Sequence, residues 1–133
     1  MKIRIEADRT ISQIRDEFTG IFPFLKLEFF KASHEASEPS RKKEMIKTDV
    51  AISSISSNRK YGSFQVSPAT TVSALEAAMR DEFGLNVQVF RKSGNVWLET
   101  TVTDNLTLQS QNALGKEKSF AVEKPDLSDI DYD

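Results

Sequence analysis

Apolar and polar residues alternate at the start of the chain and then change to a helical spacing. In KIRIEA, Ile3 and Ile5 fall on one side of an extended strand. Thr10 and Gln13 have the spacing of a capping box, which marks a helix start. The apolar residues that follow recur at helical intervals: Ile11, Ile14 and Phe18. Alternation resumes in FLKLEFFK, so residues 1–31 are predicted to form a β-α-β unit.

A second run repeats this order further along the chain. SFQVSP predicts a strand that Pro68 ends, and TTVSALEAAMRDEFG predicts a helix. Ser73 and Glu76 have the spacing of its capping box, and Gly84 is its stop signal. Its apolar residues form one stripe: Val72, Leu75, Met79 and Phe83. NVQVFRK then predicts the returning strand.

The remaining segments are assigned from their polarity and turn signals. Residues 32–47 are polar and predict a flexible linker. DVAISS, residues 49–54, predicts a strand that NRKYG turns back onto SFQV as a hairpin. DNLTLQSQNALG predicts a short helix from Asp104 to Gly115, and KSFAVEK predicts a last strand. Residues 125–133 are expected to be a disordered acidic tail.

Part of this order resembles the β-grasp plan of ubiquitin-like domains. FQVSPATTVSALEAAMRDEFG resembles the ubiquitin run of strand, proline-containing polar turn, threonine-initiated helix and glycine stop. DNLTLQSQN resembles the segment before the last strand of that family, with matching residue types at Asp104, Thr107, Leu108 and Asn112. The resemblance implies an α+β fold, with a β-grasp domain at residues 48–124 after the N-terminal β-α-β unit. The chain ends in DIDYD and not in a diglycine, so conjugation to targets is not implied.

A ferredoxin-like βαββαβ arrangement is the alternative to the β-grasp plan. The starts of the two predicted helices match, Thr10-Ile11-Ser12 with Thr71-Val72-Ser73, and two β-α-β units in tandem give the ferredoxin-like order. Duplication and a common architecture explain so short a match equally well. Both plans bury the same helix faces, so periodicity does not separate them. GLNVQVFRKSGNVWLETT also resembles a stretch of bacterial proteins of unassigned activity, which implies no reaction.

Charge and composition narrow the classes of function. The 18 basic and 20 acidic residues leave a net charge of -2, and the final eight residues, DLSDIDYD, are rich in aspartate. The rest of the chain is close to neutral and lacks the strongly basic character of nucleic-acid binding proteins. The chain contains no cysteine, and no stretch has the apolarity of a signal peptide or a membrane span. These features predict a cytoplasmic protein that binds neither nucleic acid nor a membrane.

Candidate catalytic and metal-binding groups are few. The single histidine, His34, lies in the polar linker, and the serine next to it in sequence does not make a triad. Adjacent acidic residues on the two predicted helices, Asp16-Glu17 and Asp81-Glu82, diverge and do not make an acid-base pair. The five glycines are single, so no phosphate-binding loop is predicted. We therefore predict no catalytic residue, no metal site and no cofactor.

The segment VFRKSGNVWLETT holds the only tryptophan of the sequence and predicts a β-hairpin. With Ser93-Gly94 as a two-residue turn, Phe90 faces Trp97 across the strands. Alternation then gives an inner face that packs on the second helix: Val87, Val89, Val96 and Leu98. The outer face is the predicted partner-binding surface, with two aromatic anchors and a polar rim: Phe90, Trp97, Gln88, Lys92, Asn95 and Glu99.

These features predict a non-enzymatic protein-interaction module or a small assembly subunit. Its partner is an unidentified protein or, in a homodimer, a second copy of the chain. The alternative is a ligand-binding protein or an enzyme with its site between the N-terminal unit and the β-grasp domain. The role of Trp97 depends on what covers the outer face, which is either residues 1–31 or a partner.

Overall fold

The computed structural model describes residues 1–31 and 44–123. In chain order its elements are β1 (Lys2–Ile5), α1 (Ile11–Ile21), β2 (Leu25–Phe30), a 3₁₀ turn (Ile52–Ser54), β3 (Gly62–Gln65), α2 (Val72–Phe83), β4 (Asn86–Ser93), β5 (Val96–Glu99) and α3 (Leu108–Glu123). His34, most of the predicted linker and the predicted acidic tail lie outside the described residues. No described helix is both long enough and apolar enough to cross a membrane.

The strands form two antiparallel sheets, which confirms the predicted α+β class. β1 pairs with β3, and the second sheet has the order β2-β4-β5. Each strand of the first β-α-β unit therefore pairs with the corresponding strand of the second. When the two helix starts are matched, Ile3 is the counterpart of Phe64, and these residues face each other. Leu27 faces Val89, whereas the same match makes Gln88 its counterpart. The two units thus associate through antiparallel pairing of corresponding strands, in register at β1 and β3 and offset by one residue at β2 and β4.

The helices of the two units begin with the same side-chain cap. The hydroxyl oxygen of Thr10 accepts a hydrogen bond from the Gln13 N–H, and that of Thr71 accepts one from the Ala74 N–H. The capping box predicted at Thr10 is confirmed. The prediction that Ser73 is the cap is wrong, because Thr71 has the extended backbone of an N-cap and Ser73 already lies in the first helical turn.

Two loop segments, 50–52 and 106–108, lie against these helix starts in matching positions. Two backbone hydrogen bonds recur there: Ile11 N–H to Val50 O and Ile52 N–H to Arg9 O at α1, and Val72 N–H to Leu106 O and Leu108 N–H to Thr70 O at α2. The structural correspondence between the two units therefore extends beyond the strands and helices that their sequences suggest.

Residues 49–54 do not form the predicted strand, and no hairpin joins them to β3. The side chain of Asp49 instead caps α1, because its carboxylate accepts hydrogen bonds from the Ser12 backbone N–H at 2.9 Å and the Ser12 hydroxyl at 2.8 Å. These bonds lower the pKa of Asp49. The chain then turns at Ile52–Ser54, and Ile52 is fully buried in the core. The apolar residues of this segment are therefore explained by burial in the core and not by a strand.

The last part of the described chain is one helix, where a short helix and a final strand were predicted. α3 runs from Leu108 to Glu123 and passes through Gly115 without a break. A Cβ atom at residue 115 would lie 2.8 Å from the Cβ of Phe24 and 3.2 Å from the Cγ of Arg91. Glycine is therefore present for close packing of α3 on the sheet, and it does not end the helix.

Both units contribute to one hydrophobic core. The predicted stripe of α2 is confirmed, since its four apolar residues are buried together with these core residues of the first unit: Ile3, Ile5, Ile11, Ile14, Phe18, Leu25, Leu27 and Phe29. The predicted linker at 32–47 thus separates segments that share both sheets and the core.

Candidate protein-interaction surface

The hairpin of β4 and β5 has a different turn from the predicted one. Gly94 and Asn95 are the two turn residues, and Gly94 has a φ of 62°. A glycine in the first of two turn positions is typical of a type II′ turn, whose twist matches that of the flanking strands. Lys92 therefore faces Trp97 and Phe90 faces Glu99, so the predicted Phe90 to Trp97 pairing is wrong.

The change of register moves partners by two residues and leaves every side chain on its predicted face. Trp97 still shares a face with Phe90, and Leu98 still shares one with Val89. However, Leu98 now lies opposite Arg91, one step closer to the hairpin tip than predicted. Val96 and Leu98 are consequently 55% and 42% exposed, although they were predicted to be core residues.

The outer face of the hairpin is partly covered by the chain itself. The Nζ atom of Lys26 on β2 lies 5.6 Å from the ring centre of Phe90 and 4.9 Å from that of Trp97. The same ammonium group is 3.1 Å from a carboxylate oxygen of Glu28. Phe90 is buried, and Trp97 is half-buried. Residues 1–31 thus supply a cation over both rings, while Trp97 keeps part of its surface exposed.

A buried network of polar groups lies at the base of the hairpin. Gln88 is 1% exposed, and its Nε2 donates to Val89 O at 3.1 Å while its Oε1 accepts from the Thr101 hydroxyl. The Thr100 hydroxyl also donates to Val89 O at 2.9 Å. These bonds hold the chain where it leaves β5. Gln88 was predicted to lie in the binding surface, but its burial gives it a structural role within the fold.

Glu76 of α2 adds a buried carboxyl to this network. Val89 lies on β4 just past the last β4 residue that pairs with β5. Its N–H donates a hydrogen bond to the Oε2 atom of Glu76 at 3.2 Å. Burial is the main cause that raises the pKa of Glu76 to about 7. The negative charges of Asp104 and Glu99 act in the same direction, and the Val89 hydrogen bond and the Arg80 charge oppose it. Because its hydrogen-bond donor is a backbone group of the sheet, Glu76 affects stability and suggests no reaction.

The other residues of the predicted polar rim lie nearer the surface. Asn95 is exposed at the hairpin tip, and Lys92 and Glu99 are half-buried. A carboxylate oxygen of Glu99 accepts from the Thr101 hydroxyl at 3.3 Å. The structure therefore brings these three residues and Trp97 to the surface, and it buries the remaining two members of the predicted site, Gln88 and Phe90.

An apolar surface that the sequence did not indicate lies along β5 and the loop after it. Large hydrophobic residues that are exposed in the described chain include Val96, Leu98 and Val102, and Val102 is 94% exposed. The other two, Met1 and Tyr61, lie elsewhere in the sequence. The alternation of β5 could not indicate this exposure, because periodicity assigns residues to a face and does not show whether a helix reaches that face.

β5 is the last strand of its sheet within the described residues. The Thr100 N–H donates to Val89 O, which continues the ladder between β5 and β4. In an antiparallel pair the backbone groups of successive residues point in alternate directions. Val96 and Leu98 therefore direct their N–H and C=O groups to β4, and Trp97 directs its own toward the outer edge. This edge strand, with Val96, Trp97 and Leu98 as its side chains, is named the β5 edge below.

Other charged groups in the described chain make ion pairs within single segments of the first and second units. One member of each acidic pair that was predicted to be solvated makes an ion pair, Glu17 with Arg9 at 2.7 Å and Asp81 with Arg80 at 3.2 Å. Within residues 1–31 and 44–123, no group of three or more potential metal ligands is close enough to hold an ion.

Comparison of the chain with protein-family models, with curated proteins and with solved structures finds no match.

Proposed function

We propose that this chain is a non-enzymatic protein-interaction module, or a small assembly subunit, whose contact surface is the β5 edge. The observation that supports the proposal is the exposure of two large aliphatic side chains, Val96 and Leu98, on a strand with no further strand beside it in the described chain. Trp97 between them is half-buried and supplies the aromatic anchor.

The chemistry of such an edge suits the binding of an extended segment. An edge strand presents backbone N–H and C=O groups that can pair with another strand, and proteins usually blunt long apolar edges with charges or proline. The β5 edge carries apolar residues at three successive positions and no proline. Backbone hydrogen bonds would supply affinity, and alternate side chains would supply specificity, as in strand addition to a sheet.

The β-grasp plan belongs to this proposal. α2 packs on β4, and β2 of the first unit lies beside β4. We propose that the first unit completes a β-grasp-like domain in this way. The lack of cysteine supports a reducing compartment such as the cytoplasm.

The test is affinity capture from a lysate of the native cells with the wild type and two double variants. V96K/L98K places two charges on exposed positions of the β5 edge. Y61K/Q109K adds the same charge at exposed positions outside β5 and is the matched control. Both variants should keep the unfolding free energy within about 0.5 kcal/mol of the wild type, because the positions are at the surface.

We expect the wild type and the control to enrich the same proteins, and V96K/L98K to lose them. Equal enrichment by all three chains would contradict the proposal, since binding would then not depend on the β5 edge.

A further inference from the structure

We propose that the partner of the β5 edge is a second copy of the chain. In this dimer β5 pairs antiparallel with β5 of the other copy about a twofold axis at Trp97, and the two β2-β4-β5 sheets become continuous. The inference rests on the proposed function, because it names the partner of the same surface.

The backbone sets which residues can lie on the axis. Trp97 directs its N–H and C=O groups outward, while Val96 and Leu98 are bonded to β4. In a twofold pair centred on Trp97, the two copies of this residue exchange both backbone hydrogen bonds. Asn95 then lies opposite Glu99 of the second copy, and Val96 lies opposite its Leu98.

The side chains are complementary to themselves in this register. Val96 of each copy faces Leu98 of the other, so the dimer contains two apolar cross-strand pairs. Both pairs lie at the positions where antiparallel side chains come closest. The Asn95 amide can donate to the Glu99 carboxylate, because the two oxygens of a carboxylate can each accept more than one hydrogen bond. No two like charges face each other. Both copies thus bury the aliphatic groups that each exposes alone.

Neighbouring symmetric registers fit less well. An axis at Leu98 would place Val96 opposite Thr100, a buried hydroxyl residue beyond the end of the strand. An axis at Val96 would place Leu98 opposite Gly94 in the turn and leave it without an apolar partner. The register at Trp97 is the one that uses the whole of β5 and pairs apolar with apolar residues.

The fold already contains two antiparallel pairs of corresponding strands, β1 with β3 and β2 with β4. Ile3 faces its own counterpart Phe64, and Leu27 faces Val89, one residue from its counterpart Gln88. Antiparallel pairing of equivalent strands is therefore how the two halves of this chain associate. The proposed dimer uses the same antiparallel pairing at the outer edge of β5. Both copies contribute the same surface, as in an isologous interface.

Cross-linking tests the register directly, because the wild-type chain contains no cysteine. The Cα atoms of a directly opposed, hydrogen-bonded pair are about 5.5 Å apart, within the range of about 4.4–6.8 Å that a disulfide needs. Trp97→Cys should therefore oxidise to a covalent dimer at least about tenfold faster than the exposed control Tyr61→Cys, because the dimer raises the effective thiol concentration. A mixture of Val96→Cys and Leu98→Cys chains leaves Trp97 intact and should form mostly the mixed disulfide.

A charge design gives a second test by sedimentation equilibrium. In V96K/L98E, the lysine at 96 faces the glutamate at 98 of the second copy twice, so self-association should persist. In V96K/L98K, like charges face each other, and the dissociation constant should rise by at least about tenfold. Y61K/Q109K should associate like the wild type.

A wild-type chain that stays monomeric up to about 1 mM would overturn the second-copy inference, as would a mixture of Val96→Cys and Leu98→Cys chains, which keep Trp97, that forms no more of the mixed disulfide than random pairing gives. If V96K/L98K also loses a protein that the monomeric wild type captures from the lysate, the inference fails while the proposed function stands. If capture is equal and no dimer forms, both fail.

Discussion

Replacement of Glu76 by glutamine should remove a pH-dependent loss of stability that the buried network predicts. Burial raises the pKa of this carboxyl from 4.5 to about 7 in the folded protein. The folded state therefore binds the proton more tightly than the unfolded state does. The resulting contribution to stability is fully present below a pH of about 4.5 and is lost as the pH rises through about 7.

The size of this effect follows from the shift. Each unit of pKa difference corresponds to about 1.4 kcal/mol, so ionisation of Glu76 lowers the free energy of unfolding by up to about 3 kcal/mol. Glutamine keeps the shape of the side chain and can still accept the hydrogen bond from the Val89 N–H. Glu76→Gln should thus be more stable than the wild type at a pH of about 8.5, by about 2–3 kcal/mol, and the difference should fall below about 1 kcal/mol at a pH of about 5.

The assay is urea unfolding at a series of pH values, followed by circular dichroism. The quantity of interest is the difference in unfolding free energy between variant and wild type, in which titrations common to both chains cancel. Glu82→Gln makes the same charge change at an exposed position of α2 and is the control. If the difference for Glu76→Gln were constant with pH, ionisation of this buried carboxyl would not affect stability, and the reasoning would be refuted.

Two further predictions concern caps and glycines, with the free energy of unfolding as the measurement. Thr71→Ala should cost about 1 kcal/mol because it removes the acceptor for the Ala74 N–H, and a larger loss for Ser73→Ala would contradict the cap assignment. Gly115→Ala should cost about 1–3 kcal/mol because its Cβ would collide with Phe24. Gly20→Ala, which meets nothing within 4 Å, should instead stabilise the chain by up to about 1 kcal/mol. Equal effects of the two glycine substitutions would contradict the close packing of α3.

Sequence patterns were most informative where structure depends on neighbouring residues. The capping box at Thr10, the buried stripe of α2 and the positive-φ Gly84 after it follow from spacings within single segments. Caps and helical stripes depend on residues three or four positions apart, so the sequence contains most of the necessary information.

The residues of the predicted interaction surface are only partly exposed in the structure, for a related reason. Each hairpin residue lies on the face that was predicted for it. However, the outer face contains the buried Phe90 and Gln88, and the exposed apolar residues lie on the inner face. Lys26 covers Phe90 because β2 lies beside β4, and this pairing joins residues far apart in the chain. No local pattern specifies such a pairing.

The amino-acid pattern was sufficient for the alternation of strands, the start of α1, the stripe of α2 and the two faces of the hairpin, because these depend on the chirality and period of the backbone. It was insufficient for the strand order, for the continuation of α3 through Gly115 and for the exposure of Val96 and Leu98. Those features depend on how distant segments compete to bury the same surfaces. The free energy of that burial depends on the assembled fold. These features therefore became evident only from the tertiary structure, in which β2, β4 and α3 pack together.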